Sequence, residues 1–315
     1  MAITSTVSDN TDNLSELHYR ICDVLLATVL CVCFLVGFPG NILSLRYFLS
    51  KPGRSLSDNL YIASCCIDSV TSIVHLPAAA VLFNQRNPGI MDNPTFCSFW
   101  YLTFLFLQQM SMFLVLLMSA SRTLAIMYPF FRINKRAVIL SIPVYAVYIT
   151  LSYSVTYFSA FTLYRKPNIL CFAAPQDDSL SLVYEINYNI CIGVPPILIA
   201  VAFILTIIKL RKEQNNAQSA SKKKMFQASV TIFYFTAVFL ACNLVSFANG
   251  VLYLVTVKIL NDWDLLEPNE FMSFYWWFLS SLFSMVLNAA LNPILYFWRM
   301  KELRLFILTL THHCS

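Results

Sequence analysis

Several polar residues of the kind that bind ions or exchange hydrogen bonds lie singly within long apolar stretches of this chain. They are Asn41, Asp68, Ser111, Asn288 and Asn292, and Asp68 is the only acid among them. A carboxylate in apolar surroundings costs several kcal/mol unless it is paired, hydrated or bound to a cation. We therefore expect Asp68 to meet the other four side chains in a functional site. The alternative is that Asp68 is protonated and only holds helices together by hydrogen bonds.

The last apolar stretch closes with Asn288-Ala-Ala-Leu-Asn292-Pro293-Ile-Leu-Tyr296, which combines two amides with a proline. A proline removes one backbone hydrogen bond from a helix, and inside a bilayer the freed carbonyl must find a partner within the protein. We therefore expect this segment to face other helices rather than lipid.

The composition identifies the elements that must position these residues. The chain of 315 residues is 58% hydrophobic and 12% charged, whereas soluble domains carry roughly 25% charged residues. Apolar windows near the roughly 20 residues needed to cross a bilayer predict seven spans. These spans are 21–48, 58–83, 98–127, 137–163, 183–210, 226–257 and 271–298. The sequence thus predicts an all-α membrane protein, a seven-transmembrane helix bundle.

The predicted bundle, 21–298, lies between a polar tail, 1–20, and a C-terminal segment, 299–315, with a short amphipathic eighth helix. Most lysines and arginines lie within 46–54, 122–136, 209–224 and 299–304. Because cytoplasmic loops are rich in Lys and Arg, these groups are predicted to be cytoplasmic and the N-terminus extracellular. The net charge of +5 then reflects loop asymmetry and does not indicate nucleic-acid binding.

Two modification sites are expected from local patterns. Asn13-Leu14-Ser15 is a glycosylation sequon in the predicted extracellular tail, although such triplets often arise by chance. Cys314 follows the amphipathic stretch beyond the last span, a position that suits S-palmitoylation.

Asn292-Pro293-x-x-Tyr296, at the cytoplasmic end of the seventh span, resembles the pattern found there in rhodopsin-like (class A) G-protein-coupled receptors. The resemblance extends back to Gly40-Asn41. It implies a multi-pass plasma-membrane receptor that transmits the binding of an extracellular ligand to a heterotrimeric G protein.

The resemblance also implies a cation site and a disulfide. In the family a sodium and water pocket that collapses on activation is surrounded by the positions of Asp68, Ser111, Asn288 and Asn292. An allosteric sodium ion is therefore the only cofactor expected. Cys97, at the outer start of the third span, and Cys171, in the outer loop before the fifth, match a bridge that the family forms in an oxidising compartment.

Arg122 lies twenty-five residues after Cys97, at the cytoplasmic end of the third span. The family has Asp-Arg-Tyr there, with the acid holding the arginine until the G protein binds it, but this chain has Ser121-Arg122-Thr123. Without that acid, Arg122 is freer to face a G-protein helix end, whose carbonyls attract cations. The alternative is that Arg122 is merely one of the cytoplasmic positive charges.

The sixth span departs from the family pattern Phe-x-x-Cys-Trp-x-Pro. Asn243 replaces the Trp of the switch and Val245 replaces the Pro. Because nothing then removes a backbone hydrogen bond, we expect this helix to lack the usual kink.

The predicted ligand pocket lies in the outer half of the bundle. Phe104 stands where amine receptors keep an Asp, and Val286 stands at the level of the retinal Lys of opsins, so both of those functions are disfavoured. The expected lining is Phe104, Gln108, Tyr188, Ser246, Phe247, Asn249 and Phe278. An aromatic pocket with a few polar groups suits a small molecule, and a peptide ligand stays open because the outer surface is acidic.

Two other classes of protein fit this sequence less well. An enzyme is disfavoured because no His, Asp or Glu cluster in the spans has the spacing of metal ligands. A transporter or channel is the stronger alternative, since it would also keep Asp68 and broken helices. Transporters, however, commonly show repeated halves, and no such repeat is visible here.

Overall fold

The computed structural model describes the backbone of residues 3–83, 93–128, 130–164, 172–175, 178–214, 234, 236–244, 247–248 and 268–314. Side chains are described mainly within 20–154, 186–212, 234–248 and 280–309, with gaps.

Nearly all of the described residues are helical. The helices are α1 (Ile3–Ser50), α2 (Leu56–Val74), α3 (Leu76–Phe83), α4 (Pro94–Met127), α5 (Lys135–Ala160), α6 (Asp178–Gln214), α7 (236–244), α8 (Pro268–Arg299) and α9 (Lys301–Cys314). Two short strands, β1 (Phe161–Tyr164) and β2 (Phe172–Pro175), pair antiparallel between α5 and α6.

Side-chain caps fix the starts of two helices. The Ser55 hydroxyl accepts the backbone N–H of Asp58, and the Asp58 carboxylate accepts the backbone N–H of Ser55, which is a capping box at α2. At α4 the Asn93 side chain accepts the N–H groups of Thr95 and Phe96. These bonds satisfy backbone donors that the first turn of a helix leaves without partners.

Four helical segments of the described chain are long and apolar enough to cross a membrane. They are Asp23–Ser50, Leu56–Ala80, Thr95–Met127 and Lys135–Ser154, and they overlap the first four predicted spans. Their outward faces are strongly apolar, with Leu35 67% and Val144 61% exposed. In water such faces would be unfavourable, whereas lipid covers them without cost.

The remaining predicted spans are described less completely. The fifth, 183–210, lies within α6, whose apolar part is Gly193–Lys209, and the seventh, 271–298, lies within α8. Of the sixth, 226–257, mainly α7 belongs to the described residues. The total of seven spans therefore stays a prediction.

The second span is not one continuous helix. α2 ends at Val74, His75 adopts a turn, and α3 follows. Pro77 has no N–H with which to continue the helical hydrogen bonds, and Trp100 Nε1 of α4 donates to the Val74 carbonyl at 3.0 Å. A proline and an inserted side chain thus account for the break, which the apolar pattern did not predict.

The fourth predicted span, 137–163, ends later in the sequence than the helix does, because α5 ends at Ala160 and a short strand follows. Residues 161–163, predicted as the end of the fourth span, lie in β1, where Phe161 pairs with Pro175 and Tyr164 with Phe172. Aromatic and β-branched residues favour strands, and the pairing satisfies backbone groups beyond the end of α5.

α1 packs closely on both α2 and α8. A Cβ added at Gly40 would lie 2.8 Å from Cβ of Pro293, and one at Gly37 would lie 3.1 Å from Cα of Ala290. The absence of side chains at these two positions therefore allows the backbones of α1 and α8 to approach, as small residues do at helix interfaces in membranes.

Candidate functional site

Asp68 lies on α2 facing the interior, with 1% of its surface exposed. Its Oδ2 accepts hydrogen bonds from Asn292 Nδ2 of α8 at 2.7 Å and from Ser64 Oγ, one turn earlier on α2, at 3.2 Å. The bond to Asn292 joins two residues that are far apart in the sequence, and it agrees with the prediction that their side chains meet. Ser64 was not predicted, although its spacing of four residues from Asp68 places both on one helix face.

Two further bonds join α8 to neighbouring helices. Asn288 Nδ2 donates to Ser111 Oγ of α4 at 3.4 Å, and Asn41 Nδ2 of α1 donates to the Ala289 carbonyl at 3.0 Å. The Oδ1 atom of Asn41 is buried and has no partner among the described residues. With the Asp68–Asn292 bond, α8 is therefore tied through amide groups to α1, α2 and α4. We call this set the polar network.

The predicted sodium ligands all belong to the polar network, in two contacting pairs. Their donor set offers one carboxylate with hydroxyl and amide oxygens, which are hard ligands of the kind that bind alkali and alkaline-earth cations. In this structure the amide nitrogens of Asn288 and Asn292, rather than their oxygens, face Ser111 and Asp68. Cation binding at this place would therefore require these amides to turn or water to intervene.

Tyr296, the last residue of the Asn-Pro-x-x-Tyr pattern, is fully buried. Its ring packs edge-on against Phe48 of α1 and Tyr61 of α2, with ring centroids 5.7 Å and 5.3 Å away. Pro293 is buried against Gly40, as the close approach of α1 and α8 requires. Both residues therefore take part in packing α8 against α1 and α2.

Arg122 is half-buried near the end of α4, and its Nε has no partner among the described residues. Ser121 does not replace the missing acid, because its hydroxyl donates to the Met118 carbonyl of the same helix at 3.0 Å. Near Arg122 lie residues of the junction between α8 and α9. We call this end of the bundle the Arg122 end.

Asn243, in the position of the family's Trp, is 4% exposed. Its Nδ2 donates to the Phe239 carbonyl, one turn back in α7, at 2.9 Å. The amide therefore bonds within its own helix and does not bridge to a neighbour through this nitrogen. Val245 lies outside the described residues.

Hydroxyl contacts of α4, which the sequence patterns did not predict, join it to α6 and α7. The hydroxyls of Ser119 and Thr236 lie 3.1 Å apart, and those of Thr123 and Thr206 lie 2.9 Å apart. Thr123 also donates to the Ala202 carbonyl at 3.1 Å. Ser119 and Thr123 are four residues apart on α4, which places both hydroxyls on one face of the helix. That spacing is the sequence feature from which these contacts could be predicted.

The predicted ligand pocket is described only in part. Phe104 and Gln108 lie one turn apart on α4 and are each 2% exposed, and Phe247 is half-buried. Both side-chain polar atoms of Gln108 are buried without a partner in the described chain. The other expected lining residues have no described side chains: Tyr188, Ser246, Asn249 and Phe278.

His75 was not predicted as a pocket residue, yet it borders this region. It is 1% exposed, its ring lies edge-on to Phe104 with centroids 5.9 Å apart, and neither ring nitrogen has a partner among the described residues. Unpartnered buried donors and acceptors are costly. The helix break after Val74 and the two ring nitrogens, unpartnered in the described chain, mark His75 as a candidate pocket residue.

Three predicted modification or bridging residues lie outside the described side chains: Asn13, Cys171 and Cys314. Cys97 is described, is 5% exposed and lies near the start of α4. Its pairing with Cys171 stays a prediction.

Comparison with known families gives a match over most of the chain. The model of the family described as "7 transmembrane receptor (rhodopsin family)" matches residues 40–296, which is the stretch over which the sequence resembles that family. No individual curated protein is similar enough to the chain to give a match. Because the family match covers most of the chain, the protein belongs to the rhodopsin family of seven-transmembrane receptors.

Proposed function

We propose that the protein is a plasma-membrane receptor that transmits the binding of an extracellular ligand to a heterotrimeric G protein. The observation that carries this proposal is the polar network, in which α8 is held to α1, α2 and α4 by amide hydrogen bonds. Such bonds can be exchanged at little cost when helices shift, since each is worth only about 0.5–1.5 kcal/mol net. Hydrogen bonds of this kind would allow α8 to adopt two alternative arrangements relative to α1, α2 and α4.

The Arg122 end is proposed to be cytoplasmic and to bind the G protein. The side chain of Arg122 is partly accessible, and its Nε lacks a partner in the described chain. A cation with unused donors is suited to the carbonyl-bearing C-terminus of a partner helix. Lysines and arginines are concentrated in the segments at and around this end of the bundle. They support the orientation through the positive-inside rule.

The ligand is proposed to bind in the opposite half of the bundle, near Phe104 and Gln108. The unpartnered polar atoms of Gln108 and His75 support this placement, because a ligand or water would supply the missing hydrogen bonds. The aromatic contact between His75 and Phe104 supplies an apolar wall. The arrangement favours a small molecule with hydrogen-bonding groups, and a peptide is the alternative.

An allosteric sodium ion is proposed at Asp68 with oxygens from Ser111, Asn288 and Asn292. The burial of Asp68 and its neutral partners support the site, since a carboxylate there has no cationic side chain within ion-pair distance in the described residues. A sodium ion would balance that charge. It would also stabilise whichever arrangement of the helices holds these oxygens together.

Three further features complete the proposal. A Cys97–Cys171 disulfide would tie the loop before α6 to α4, and it is supported by the absence of Cys97 from the free thiols of the described chain. Glycosylation of Asn13 would require an extracellular N-terminus. Palmitoylation of Cys314, at the end of α9, would anchor that helix to the cytoplasmic leaflet.

A transporter or channel remains the alternative function, and a paired assay separates the two. The purified protein in lipid vesicles is mixed with purified G-protein heterotrimers and radiolabelled GTPγS, and the same vesicles are tested for ion and solute flux. A receptor raises nucleotide exchange without flux. Flux without any effect on nucleotide exchange would reject the proposed function.

A further inference from the structure

A cavity of about 590 Å³ opens at the Arg122 end, between the end of α1, the start of α2, α4 and the α8–α9 junction. Four cationic and two acidic side chains line it: Lys51, Arg122, Arg299, Lys301, Asp58 and Glu302. The volume lies within the roughly 300–1,000 Å³ typical of small-molecule sites. The lining therefore has the size of a ligand site and an excess of positive charge.

Both acids of this cavity are already engaged with the same lysine. Asp58 lies 3.2 Å from Lys51 Nζ and also bonds to the backbone of Ser55. Glu302 accepts the Tyr47 hydroxyl at 2.9 Å and lies 4.0 Å from Lys51. Burial alone would lower the pKa of Lys51, but its hydrogen bonds to Tyr47 and Asp58 outweigh burial and raise that pKa.

The other three cations have no carboxylate within 4.0 Å in the part of the chain that the structure describes. The Nε atoms of Arg122 and Arg299 are buried there without hydrogen-bond partners. Arg299 is held by aromatic rings, with its guanidinium 5.1 Å from the centroid of Tyr234 and 5.4 Å from that of Trp298. The cavity thus holds three cations without a carboxylate partner among the described residues, and one of them, Arg299, is held in place by aromatic rings.

We propose that this cavity binds a phosphate-bearing anion, namely an inositol phosphate group, either as a lipid headgroup or free in solution. Guanidinium groups bind phosphate oxygens through paired hydrogen bonds, and Lys301 adds a point charge. Exposed apolar side chains flank the site, among them Trp298 and Leu305. Contact of these side chains with lipid would bring the opening to the membrane interface, where lipid headgroups are concentrated.

This inference goes beyond the proposed receptor function, because it concerns a ligand at the Arg122 end rather than in the opposite half. Bound there, the anion would supply Arg122 with the negative partner that Ser121 does not provide. Its binding is measurable on the protein alone, without a G protein. Failure of the proposed coupling would therefore leave the test of this site intact.

The test measures the thermal unfolding midpoint of the purified full chain in uncharged detergent. The probes are inositol hexakisphosphate and short-chain phosphatidylinositol bisphosphate, compared with sulfate and short-chain phosphatidylcholine at equal ionic strength. We expect a saturable rise of the midpoint with at least one phosphorylated probe and none with the controls.

Matched variants test whether the rise of the unfolding midpoint comes from binding in this cavity. Lys301→Gln, in the lining, should weaken the apparent affinity about tenfold, since one charge-assisted bond is lost. Arg304→Gln removes a charge from the same helix outside the lining and should leave the affinity unchanged. The unfolding midpoint without probe shows whether each variant is folded.

Each outcome decides between the sources or rejects the site. A rise with the lipid alone assigns the site to a membrane headgroup, and a rise with both probes shows that the phosphorylated ring suffices. A rise with inositol hexakisphosphate alone assigns the site to a free inositol phosphate. No rise with either probe, or equal weakening by Arg304→Gln and Lys301→Gln, would overturn the proposal.

Discussion

Asp68 is a buried acid whose described side-chain partners are an amide and a hydroxyl. Neutral donors stabilise a carboxylate but do not cancel its charge, so a cation that enters the polar network gains strongly from it. The same donors equally suit a protonated carboxyl that only holds helices together. The two interpretations differ in whether sodium changes the behaviour of the receptor.

The first prediction concerns Asp68→Asn. If Asp68 binds sodium in the inactive arrangement, sodium should lower ligand-free nucleotide exchange in the parent protein by a coupling of roughly 1–3 kcal/mol, and the variant should lose this effect. Exchange is measured with sodium replaced by choline at fixed ionic strength. Equal sensitivity to sodium in parent and variant would refute the site.

The second prediction concerns Ser121→Asp. In the parent, the Ser121 hydroxyl bonds within α4, and Arg122 has no carboxylate within 4.0 Å among the described residues. A carboxylate at this position should hold Arg122, with a bond worth up to roughly 1.5–3 kcal/mol and less where solvent reaches it. Ligand-free exchange should therefore fall severalfold.

Ser121→Asn, which adds the same bulk without the charge, is the control for that experiment. An unchanged rate in Ser121→Asp at equal surface expression would show that the unpaired arginine does not set basal activity. In that case low basal activity would be better explained by Val245, which stands in the sixth span where the family has a proline.

The contact between Asp68 and Asn292 could be predicted from the sequence, whereas the orientation of individual amide groups could not. An acid or amide in an apolar stretch is conspicuous, so Asp68 and Asn292 were expected to meet and do so. The rotamer of Asn243, whose amide bonds within α7, depends on packing that no pattern of residue types encodes. His75 was missed because a single histidine in a span also fits an ordinary buried residue.

At the scale of elements, the contact between α1 and α8 depends on two glycines. Gly40 leaves room for Pro293, and Gly37 leaves room for Ala290. Helices in lipid gain little from the hydrophobic effect and depend on this kind of close packing. The polar network spans the same interface through Asn41.

The third prediction is that Gly40→Ala destabilises the bundle. The added Cβ would lie 2.8 Å from Pro293 Cβ, so the helices must separate. Overpacking of this kind costs about 1–3 kcal/mol, and the unfolding midpoint in detergent should fall. Val36→Ile enlarges a side chain of α1 that is 42% exposed and should have little effect. An unchanged midpoint in Gly40→Ala would contradict the packing described for α1 and α8.

The fourth prediction concerns the link between α4 and the loop before α6. Replacing Cys97 or Cys171 with Ser should reduce surface expression and thermal stability, since loss of a native disulfide typically costs about 2–5 kcal/mol. Cys66→Ser removes an exposed free thiol and is the control. Mass spectrometry of the non-reduced protein that found both thiols free would reject the bridge.

Helix ends and breaks were harder to predict than the helices themselves. Apolar length identified the first four spans because the bilayer fixes that length. The break at His75 depends on Trp100 reaching the Val74 carbonyl from α4, a contact between distant parts of the chain. β1 depends likewise on pairing with β2. Patterns within one segment cannot reveal such partners.

At the scale of the whole molecule, the described side-chain contacts link α4 and α8 to most of the other helices of the bundle. Hydroxyl pairs join α4 to α6 and α7, and the polar network joins α1, α2 and α4 to α8. A shift of helices caused by a ligand near Phe104 would therefore disturb contacts close to Arg122. This is the physical basis for expecting that ligand binding and G-protein binding are coupled.

The most direct test of this account is ligand-free nucleotide exchange by purified heterotrimers of each G-protein family on vesicles that contain the protein. Because Arg122 has no carboxylate within 4.0 Å in the described chain, we predict exchange above that of protein-free vesicles with at least one heterotrimer. Arg122→Ala at equal protein density should lower it. Exchange equal to that of protein-free vesicles for every heterotrimer, or an unchanged rate in Arg122→Ala, would contradict the account.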